Sequence, residues 1–389
     1  MYKVSTFNNI SSKGLDRFDT ENFIVKAGQE DADAILLRSH KLNVTEIDNT
    51  VKAIARAGAG VNNIPLADCT ERGIPVFNTP GANANAVKEL VLTGLLLSSR
   101  GIVDGINYVN TQGSVNDAKE LSKLLEKEKK QFRGQELHGK NLGVIGLGAI
   151  GSRVANMALE LGMNVLGYDP AISIEAAWRL SSSVQKMDSI QSLLAKSDYV
   201  TLHLPAIKET HHTINQDTAR HFKKGARLLN FAREEVVDSD ATLSAIESGQ
   251  LGMYITDFPT PELIGKKGVL LMPHIGASTA EAEENCAAMA ADQLKDFLAN
   301  GNIKNSVNFP TLVLERSEGF RIGFANKNVP KVLSHVLAVF AENDINVIDI
   351  LNKSRHEIAY NLVDIDKAPT EELLNALREI EGVITANSF

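Results

Sequence analysis

The chain has 389 residues, 43% of them hydrophobic, and a formal net charge of −8. That length fits two or three domains with sizeable cores, and the acidic balance argues against nucleic acid or an acidic membrane as a partner. No 18-residue apolar span occurs, the first residues lack a secretory apolar segment, and Cys69 and Cys286 are the only cysteines. We therefore expect a cytoplasmic protein with neither a disulfide framework nor a metal site of the zinc-finger type.

The first 80 residues alternate short apolar runs with helical stretches. The predicted strands are Val4–Phe7, Ala34–Leu37, Ala53–Ala55 and Pro75–Phe77, separated by Gly, Asn, Asp and Pro. Such alternation indicates an α/β fold with a parallel sheet. A helix is predicted over 84–99, and the Lys- and Glu-rich stretch 119–130 has the pattern of an amphipathic helix with a solvated face.

A glycine motif follows the next apolar run, Leu142 to Ile145. Gly146, Gly148 and Gly151 form G-x-G-x-x-G, a helical pattern follows, and a second apolar run ends at Asp169. In this order the glycines permit a tight turn, close approach of a pyrophosphate and close helix packing, while an acidic residue accepts hydrogen bonds from ribose. A lone glycine motif also fits an ordinary βαβ turn, but this context predicts a dinucleotide site. Because Asp169 would repel a 2′-phosphate, we expect NAD rather than NADP.

The rest of the sequence predicts further strands of the sheet that contains the glycine motif, followed by a separate C-terminal unit. Strands are expected at 199–204, 227–231, 252–255 and 269–272, followed by an alanine-rich helix from 279 to about 299 and an Asn-rich linker, 300–310. The pattern after 316 is strand, helix, two strands, helix and strand, which is a ferredoxin-like βαββαβ unit.

Polar residues follow several of the predicted strands. His274 could serve as the base that removes a hydroxyl proton, and Arg233 could hold a carboxylate bidentately. Asp257 and Glu262 could pair with an imidazole and raise its pKa. A lone histidine is more often structural, so it is the strand-end position of all these residues that favours catalysis.

Taken together, these motifs resemble the D-2-hydroxyacid dehydrogenase family, and the C-terminal unit resembles ACT modules, which bind amino acids. The segments that carry the resemblance are 56–62, 76–83, 87–90, 143–151, 201–205, 230–233 and 273–279. It implies two Rossmann-like, doubly wound parallel-sheet domains and a ferredoxin-like ACT domain. The implied boundaries are 1–83 with 276–309 for substrate binding, 84–275 for NAD binding and 316–389 for the ACT domain.

The resemblance also assigns roles to individual residues. The catalytic set is His274 as acid/base, Glu262 as its partner and Arg233 as the carboxylate-binding arginine. The substrate set is Arg38, Ser39, Ala59, Gly60, Val61, Asn62, Asn83 and Lys129, the lysine reaching a neighbouring subunit's substrate. The cofactor set is Gly146, Gly148, Ala149, Ile150, Gly151, Asp169, His203, Pro205, Thr210, Ala232 and Asp257.

Three departures from the family pattern concern these assignments. The order Pro261-Glu262 is reversed relative to the family, which displaces Glu262 and Asp257 by one residue. Glu234 replaces a common glycine and would be strained if that position required a positive φ. In the ACT unit, Asn328 and Asn346 match effector-contacting asparagines, whereas Asn326 stands where a histidine is sometimes found and Lys331 replaces a glycine. The unit therefore either binds an effector such as L-serine or serves only in dimerisation.

The resemblance implies NAD-dependent oxidation of D-3-phosphoglycerate, and among the family's substrates Arg38 and the ACT unit favour this phosphorylated one. Reduction of glyoxylate or hydroxypyruvate, oxidation of D-lactate, and a dinucleotide-sensing, corepressor-like binding protein are the alternatives. The resemblance further implies a homodimer or homotetramer.

Overall fold

A computed structural model describes residues 1–389. The chain divides into two compact units, Met1–Asn83 with Ala280–Phe389, and Ala84–Thr279. The domain boundaries expected from the sequence would divide the first of these units again, into a substrate-binding and an ACT domain, and that finer division remains a prediction.

The N-terminal part of the first unit is a five-stranded parallel sheet in the order β2-β1-β3-β4-β5. Its strands and short helices are β1 (Tyr2–Phe7), α1 (Ser12–Leu15), β2 (Phe23–Ala27), β3 (Ala34–Leu37), β4 (Ala53–Arg56), α2 (Leu66–Glu71) and β5 (Val76–Phe77). The central strand β3 is buried along its whole length, as its sequence Ala-Ile-Leu-Leu requires.

The second unit contains a seven-stranded parallel sheet in the order β12-β11-β10-β9-β6-β7-β8. Its strands are β6 (Asn141–Ile145), β7 (Asn164–Tyr168), β8 (Gln185–Lys186), β9 (Tyr199–Leu202), β10 (Ala226–Asn230), β11 (Leu251–Thr256) and β12 (Val269–Leu271). Its helices are α3 (Ala84–Ser99), α4 (Ile102–Asn110), α5 (Ala118–Glu128), α6 (Gly151–Glu160), α7 (Ile174–Arg179), α8 (Ile190–Lys196), α9 (Gln216–Ala219) and α10 (Ser239–Glu247). Single 3₁₀ turns occur at Val44–Glu46 in the first unit and at Lys129–Phe132, Lys208–Thr210 and Glu234–Val236 here.

The C-terminal part returns to the first unit through the long helix α11 (Ala280–Asn300). It continues as β13 (Phe320–Lys327), α12 (Val332–Glu342), β14 (Val347–Arg355), β15 (Ile358–Ile365), α13 (Glu371–Arg378) and β16 (Val383–Ser388). The four strands form an antiparallel sheet in the order β14-β15-β13-β16, which is the ferredoxin-like arrangement.

The predicted fold class is confirmed, and the strand and helix positions agree closely with the sequence pattern. Two strands were missed, β2 and β8, and both lie at the edge of their sheets. The two-residue strand β8 is Gln-Lys and carries no apolar signal, whereas β2, Phe-Ile-Val-Lys-Ala, does contain an apolar run that the prediction did not use. None of the helices is both long enough and apolar enough to cross a membrane.

Candidate active site

The glycine motif lies in the turn between β6 and α6, where two of its three glycines have no room for a side chain. A Cβ on Gly146, whose φ is +89°, would lie 2.4 Å from the carbonyl oxygen of His203. A Cβ on Gly151 would lie 1.9 Å from the carbonyl oxygen of Gly146. Gly148, in contrast, has nothing within 4 Å of where its Cβ would be. The turn is therefore closely packed on its inner side and open at Gly148, as a phosphate-binding loop must be.

The open side of this turn presents unpaired donors. The backbone N–H groups of Gly148, Ala149 and Ile150 donate no hydrogen bond within the protein, and they lie where α6 begins, where the helix dipole favours anions. At the end of β7, Asp169 accepts hydrogen bonds from the N–H groups of Leu147 (2.8 Å) and Ala171 (2.9 Å). A carboxylate has further lone pairs for ribose hydroxyls. These residues fit NAD: N–H groups for the pyrophosphate and a fixed carboxylate for the ribose.

The expected adenosine side is formed by the loop after β9. Burial lowers the pKa of His203 to about 3, so this ring is neutral. Its Nε2 lies 3.1 Å from Thr201 Oγ1, and its buried Nδ1 has no partner in the protein. The Thr210 hydroxyl donates to the Pro205 carbonyl oxygen (2.5 Å), so it fixes this loop from within.

His274 follows β12 on a loop that a buried carboxylate holds in place. Asp257 Oδ1 accepts from the N–H of Ile275 (2.8 Å) and its Oδ2 from the N–H of Gly276 (2.7 Å). His274 itself has φ +56°, a left-handed conformation that non-glycine residues adopt at an energetic cost and that is enriched at active sites. Its side chain is exposed, with the ring 4.8 Å from that of Phe258. The loop thus presents an imidazole on a fixed backbone.

Glu262, the expected partner of His274, is not brought to it by the structure. No hydrogen bond or ion pair joins the two side chains. The exposed carboxylate instead lies at its own turn, where the N–H of Glu262 and the nearby Thr260 hydroxyl lower its pKa. The acid that contacts the His274 loop is Asp257, through the backbone. The pairing of Glu262 with His274 remains a prediction.

Arg233 lies just after β10 and is positioned by the last residue of that strand. Asn230 is fully buried, accepts from the N–H of Ala232 (3.1 Å) and donates to the carbonyl oxygen of Arg233 (2.8 Å). The half-buried guanidinium donates to the Ala232 carbonyl oxygen (2.7 Å), and its other donors remain for a carboxylate. Glu234 does not have a positive φ, so the strain considered for this position is absent.

In the first unit, the expected substrate loops 38–39 and 59–61 are joined by Arg56. Its Nε donates to the carbonyl oxygen of Arg38 (2.9 Å) and its Nη1 to that of Gly60 (2.7 Å). The N–H groups of residues 59–61 donate no hydrogen bond within the protein, so they can receive an anion. Asn63 adds hydrogen bonds to the carbonyl oxygens of Arg38 (3.2 Å) and His40 (2.7 Å).

The other expected substrate residues have simpler surroundings. The N–H of Ser39 donates to Asn8 (3.0 Å), while Asn62 is exposed and Asn83 half-buried. Arg38 forms an ion pair with Glu283 in the first turn of α11 (2.6 Å). Lys129, in the second unit, is exposed and paired with Glu126 (2.5 Å).

The three asparagines expected to contact an effector do not form one cluster. Asn326 is buried within the sheet, where it donates to the Lys327 carbonyl oxygen (2.6 Å) and accepts from Asn361 (2.7 Å). Asn328 donates to the His356 carbonyl oxygen, at the end of the sheet where β14 turns into β15. Asn346 lies at the opposite end, beside Asp366. Eight residues of β15 separate these ends, roughly 25 Å of strand, so one small molecule cannot contact both Asn328 and Asn346 of one chain. Lys331 has φ +77°, where glycine is favoured.

Sequence reasoning missed the residues that hold the functional groups, namely Arg56, Asn63, Asn230 and Glu283, and the loop-holding contacts of Asp257. The available signal was a polar residue directly at the end of an apolar strand, as in Leu228-Leu229-Asn230. Which backbone group such a residue reaches depends on tertiary contacts.

Comparisons with known proteins show which family this chain is similar to. The model of the D-isomer specific 2-hydroxyacid dehydrogenase NAD-binding domain matches residues 95–276, and the ACT domain model matches residues 320–382. A D-3-phosphoglycerate dehydrogenase of Synechocystis sp. is 36% identical over 341 residues, and one of Haemophilus influenzae is 34% identical over 377 residues. The crystal structure of an NAD+-bound 3-phosphoglycerate dehydrogenase of Entamoeba histolytica shares 28% identity with a TM-score of 0.61, covering 80% of this chain and 99% of that one.

The alignment covers a different fraction of the length of each of the two sequence relatives. The alignments cover 82% of this chain and 58% of the Synechocystis protein, but 93% of this chain and 88% of the Haemophilus protein. The similarity thus extends through both compact units and includes the glycine turn, the Arg233 segment and the His274 loop. The chain therefore belongs to the D-isomer specific 2-hydroxyacid dehydrogenases, a family of NAD-dependent oxidoreductases, and carries an ACT domain at its C-terminal end.

Proposed function

We propose that the chain oxidises D-3-phosphoglycerate to 3-phosphohydroxypyruvate with NAD, the first step of the phosphorylated route to L-serine. The observation that carries this proposal is His274, an exposed imidazole held in a left-handed conformation on a loop fixed by Asp257. The substrate follows from the relatives, several of which are D-3-phosphoglycerate dehydrogenases.

Each residue has a defined part in this reaction. Arg233 and the free N–H groups of residues 59–61 bind the carboxylate, and Arg38 binds the phosphate, with Lys129 of a neighbouring subunit also a candidate for that contact. His274 takes the proton of the C2 hydroxyl as the C2–H bond breaks, which leaves a C2 carbonyl. The chemistry that NAD would supply when bound is that of the hydride acceptor. Ala232 and Asp257 border the nicotinamide in this assignment, while Asp169 holds the adenosine ribose.

The proposal is tested by the initial rate of NADH formation from D-3-phosphoglycerate in the wild type and in His274→Ala. General-base removal is worth about 10²–10⁴ in rate, so the variant should retain less than about a tenth of wild-type turnover and still bind NAD. A variant above that level would remove His274 from the role of base. NAD binding without turnover of any 2-hydroxy acid would instead favour a dinucleotide-sensing protein.

Reduction of glyoxylate or hydroxypyruvate is the second candidate activity. One observation favours it, because Arg38, the proposed phosphate ligand, already carries a carboxylate partner in Glu283. Rapid glyoxylate reduction without oxidation of D-3-phosphoglycerate would establish this alternative.

Glu262 is retained as the proposed partner of His274 in the catalytic cycle. The test is the pH–rate profile of Glu262→Gln, since loss of a carboxylate partner lowers the pKa of an imidazole. A profile identical to that of the wild type would exclude Glu262 from the mechanism.

We also propose that the protein works as a homodimer or homotetramer in the cytoplasm. Support for assembly comes from an apolar groove of about 630 Å³ in the second unit, lined by Ile102, Ile106, Leu125 and Phe132, with Lys129 also at its wall. Ile106 is 56% exposed, and contiguous exposed apolar surface marks interaction sites. The buried, unpaired thiols of Cys69 and Cys286 suit a reducing compartment.

L-serine remains the proposed effector of the ACT domain. Because Asn328 and Asn346 lie at opposite ends of its sheet, a site that uses both asparagines would have to be completed by a second copy of the chain. Suppression of turnover by L-serine supports the effector role, whereas turnover indifferent to serine leaves the domain a purely structural one.

A further inference from the structure

Arg38, the proposed phosphate ligand, is engaged by an acidic side chain of its own unit. Its Nη2 lies 2.6 Å from Oε1 of Glu283, a residue 245 positions further along the chain. The two side chains are 40% and 43% exposed. A pair this accessible to water is weakly held and can exchange partners.

The backbone on both sides of this pair is fixed. The carbonyl oxygen of Arg38 accepts hydrogen bonds from Arg56 and Asn63. Glu283 lies in the first turn of α11, and the next turns of that helix bury Cys286, Ala287 and Ala290. An exchange of partners at Arg38 therefore requires only side-chain rotation.

We propose, on the basis of the function proposed above, that Glu283 is a specificity-determining residue that competes with the substrate for Arg38. A phosphate carries close to two negative charges and three acceptor oxygens, and it binds a guanidinium bidentately, so it can displace a single carboxylate. A hydroxy acid that has no charge at the end remote from its carboxylate cannot displace Glu283, so Arg38 stays paired with Glu283. The ion pair thus lowers the affinity of this subsite for a phosphorylated substrate and leaves the binding of a substrate without a second anionic group unchanged.

The test is Glu283→Gln, which keeps the shape of the side chain and removes its charge. Because an exposed ion pair is worth less than a factor of ten, the KM for D-3-phosphoglycerate should fall about two- to fivefold while kcat stays within about twofold. The KM for glyoxylate should not change. The matched control is Glu284→Gln, the same charge change at the next residue, whose carboxylate pairs with Lys13 instead. An unchanged KM for D-3-phosphoglycerate would overturn the proposal, and a raised one would mean that Glu283 orients Arg38 for binding.

A second measurement separates this inference from the proposed function. Titration calorimetry with inorganic phosphate measures anion binding at Arg38 without any turnover. We expect Glu283→Gln to bind phosphate about two- to fivefold more tightly than the wild type, and this gain to vanish in an Arg38→Gln background. If the wild type does not oxidise D-3-phosphoglycerate but this difference is present, the proposed function fails and the competition by Glu283 holds. Equal binding, or none, in the wild type and Glu283→Gln overturns the competition.

Discussion

At the scale of single residues, each group assigned to chemistry is held by a neighbour that does not itself react. Asp257 fixes the backbone of the His274 loop, Asn230 fixes the turn of Arg233, and Arg56 joins the loops of Arg38 and Gly60. These contacts all reach backbone N–H or carbonyl groups. Backbone groups are the same in every residue. The sequence of a loop therefore does not show which of its backbone groups a residue such as Asp257, Asn230 or Arg56 contacts.

The contact of Asp257 with two N–H groups predicts the behaviour of Asp257→Asn. An amide accepts one of these hydrogen bonds but turns its own N–H toward the other donor, so His274 should lose its fixed position. We expect kcat to fall at least about tenfold and the folded state to lose about 1.5–3 kcal/mol, as for a hydrogen bond to a charged group. The measurements are kcat and the pH–rate profile, with the melting temperature recorded in parallel.

Asp198→Asn is the control for this prediction. Asp198 also accepts from a backbone N–H, that of Asn141 (2.9 Å), and pairs with Lys223 (2.6 Å), but it precedes β9 at the opposite ends of the strands from the glycine turn. This variant should lose stability and keep its kcat. Wild-type kcat in Asp257→Asn would contradict the positioning role.

At the scale of elements, two glycines of the β6–α6 turn serve different purposes: one allows close packing and the other leaves space for a ligand. Gly151 is required by packing, whereas Gly148 has open space beside it. The position of each glycine in the sequence motif predicts these two separate roles.

We therefore expect opposite results from two alanine substitutions in this turn. Gly148→Ala should fold with wild-type stability but bind NAD more weakly, because the new methyl group points into the space for the pyrophosphate. Gly151→Ala should be destabilised, because its Cβ would lie 1.9 Å from the Gly146 carbonyl oxygen. Fluorescence titration with NADH and thermal unfolding measure the two effects, and unchanged NADH affinity in Gly148→Ala would rule out this path for the pyrophosphate.

At the scale of the whole molecule, the ACT sheet is built into the first unit rather than appended to it. Tyr360 and Leu362 of β15 belong to the same core as Phe77 and Phe297, and the Tyr360 hydroxyl donates to the Gly301 carbonyl oxygen (2.9 Å). Arg321 and Asp364 form a buried bidentate pair, at 2.6 and 2.8 Å. Arg321 also donates to the carbonyl oxygens of Asn300, the last residue of α11, and of Leu314 and Glu315, which lie in the segment before β13.

These contacts predict how the buried pair responds to replacement. Arg321→Met leaves a buried carboxylate and three carbonyl groups without their donor, so we expect a loss of about 3–5 kcal/mol. The double variant Arg321→Met/Asp364→Leu should stay destabilised because the carbonyl groups are still unpaired, whereas apolar replacement of a simple buried pair is often neutral. Urea unfolding measures both, and a double variant as stable as the wild type would refute the role of the three carbonyl contacts.

The same pair gives a pH dependence. Burial by itself would raise the pKa of Asp364, but the hydrogen bonds and charge of Arg321 outweigh it and lower the pKa below 3.8. The stabilisation is therefore complete above pH 3.8 and is lost as the pH falls through the lowered value. We expect the difference in urea midpoint between the wild type and Asp364→Asn to be constant near neutrality and to shrink below pH 3.8. A difference that does not shrink in acid would contradict this assignment.

The sequence by itself determined all the strands except β2 and β8, the order of the predicted elements, the NAD turn and the family. These features depend on local periodicity and on residue types at short spacing, such as the three glycines and Asp169, and they could be predicted without tertiary contacts.

Only the tertiary structure decided which acid holds the backbone of the His274 loop, what occupies Arg38 and where the effector asparagines lie. Asp257 and Glu262 are five residues apart and equally suitable in chemistry, but only Asp257 is buried beneath the His274 loop. Glu283 reaches Arg38 across 245 residues of chain, and Asn326 points into its own sheet. Such contacts arise because folding brings distant segments together and buries one face of each, and neither result is encoded in the spacing of neighbouring residues.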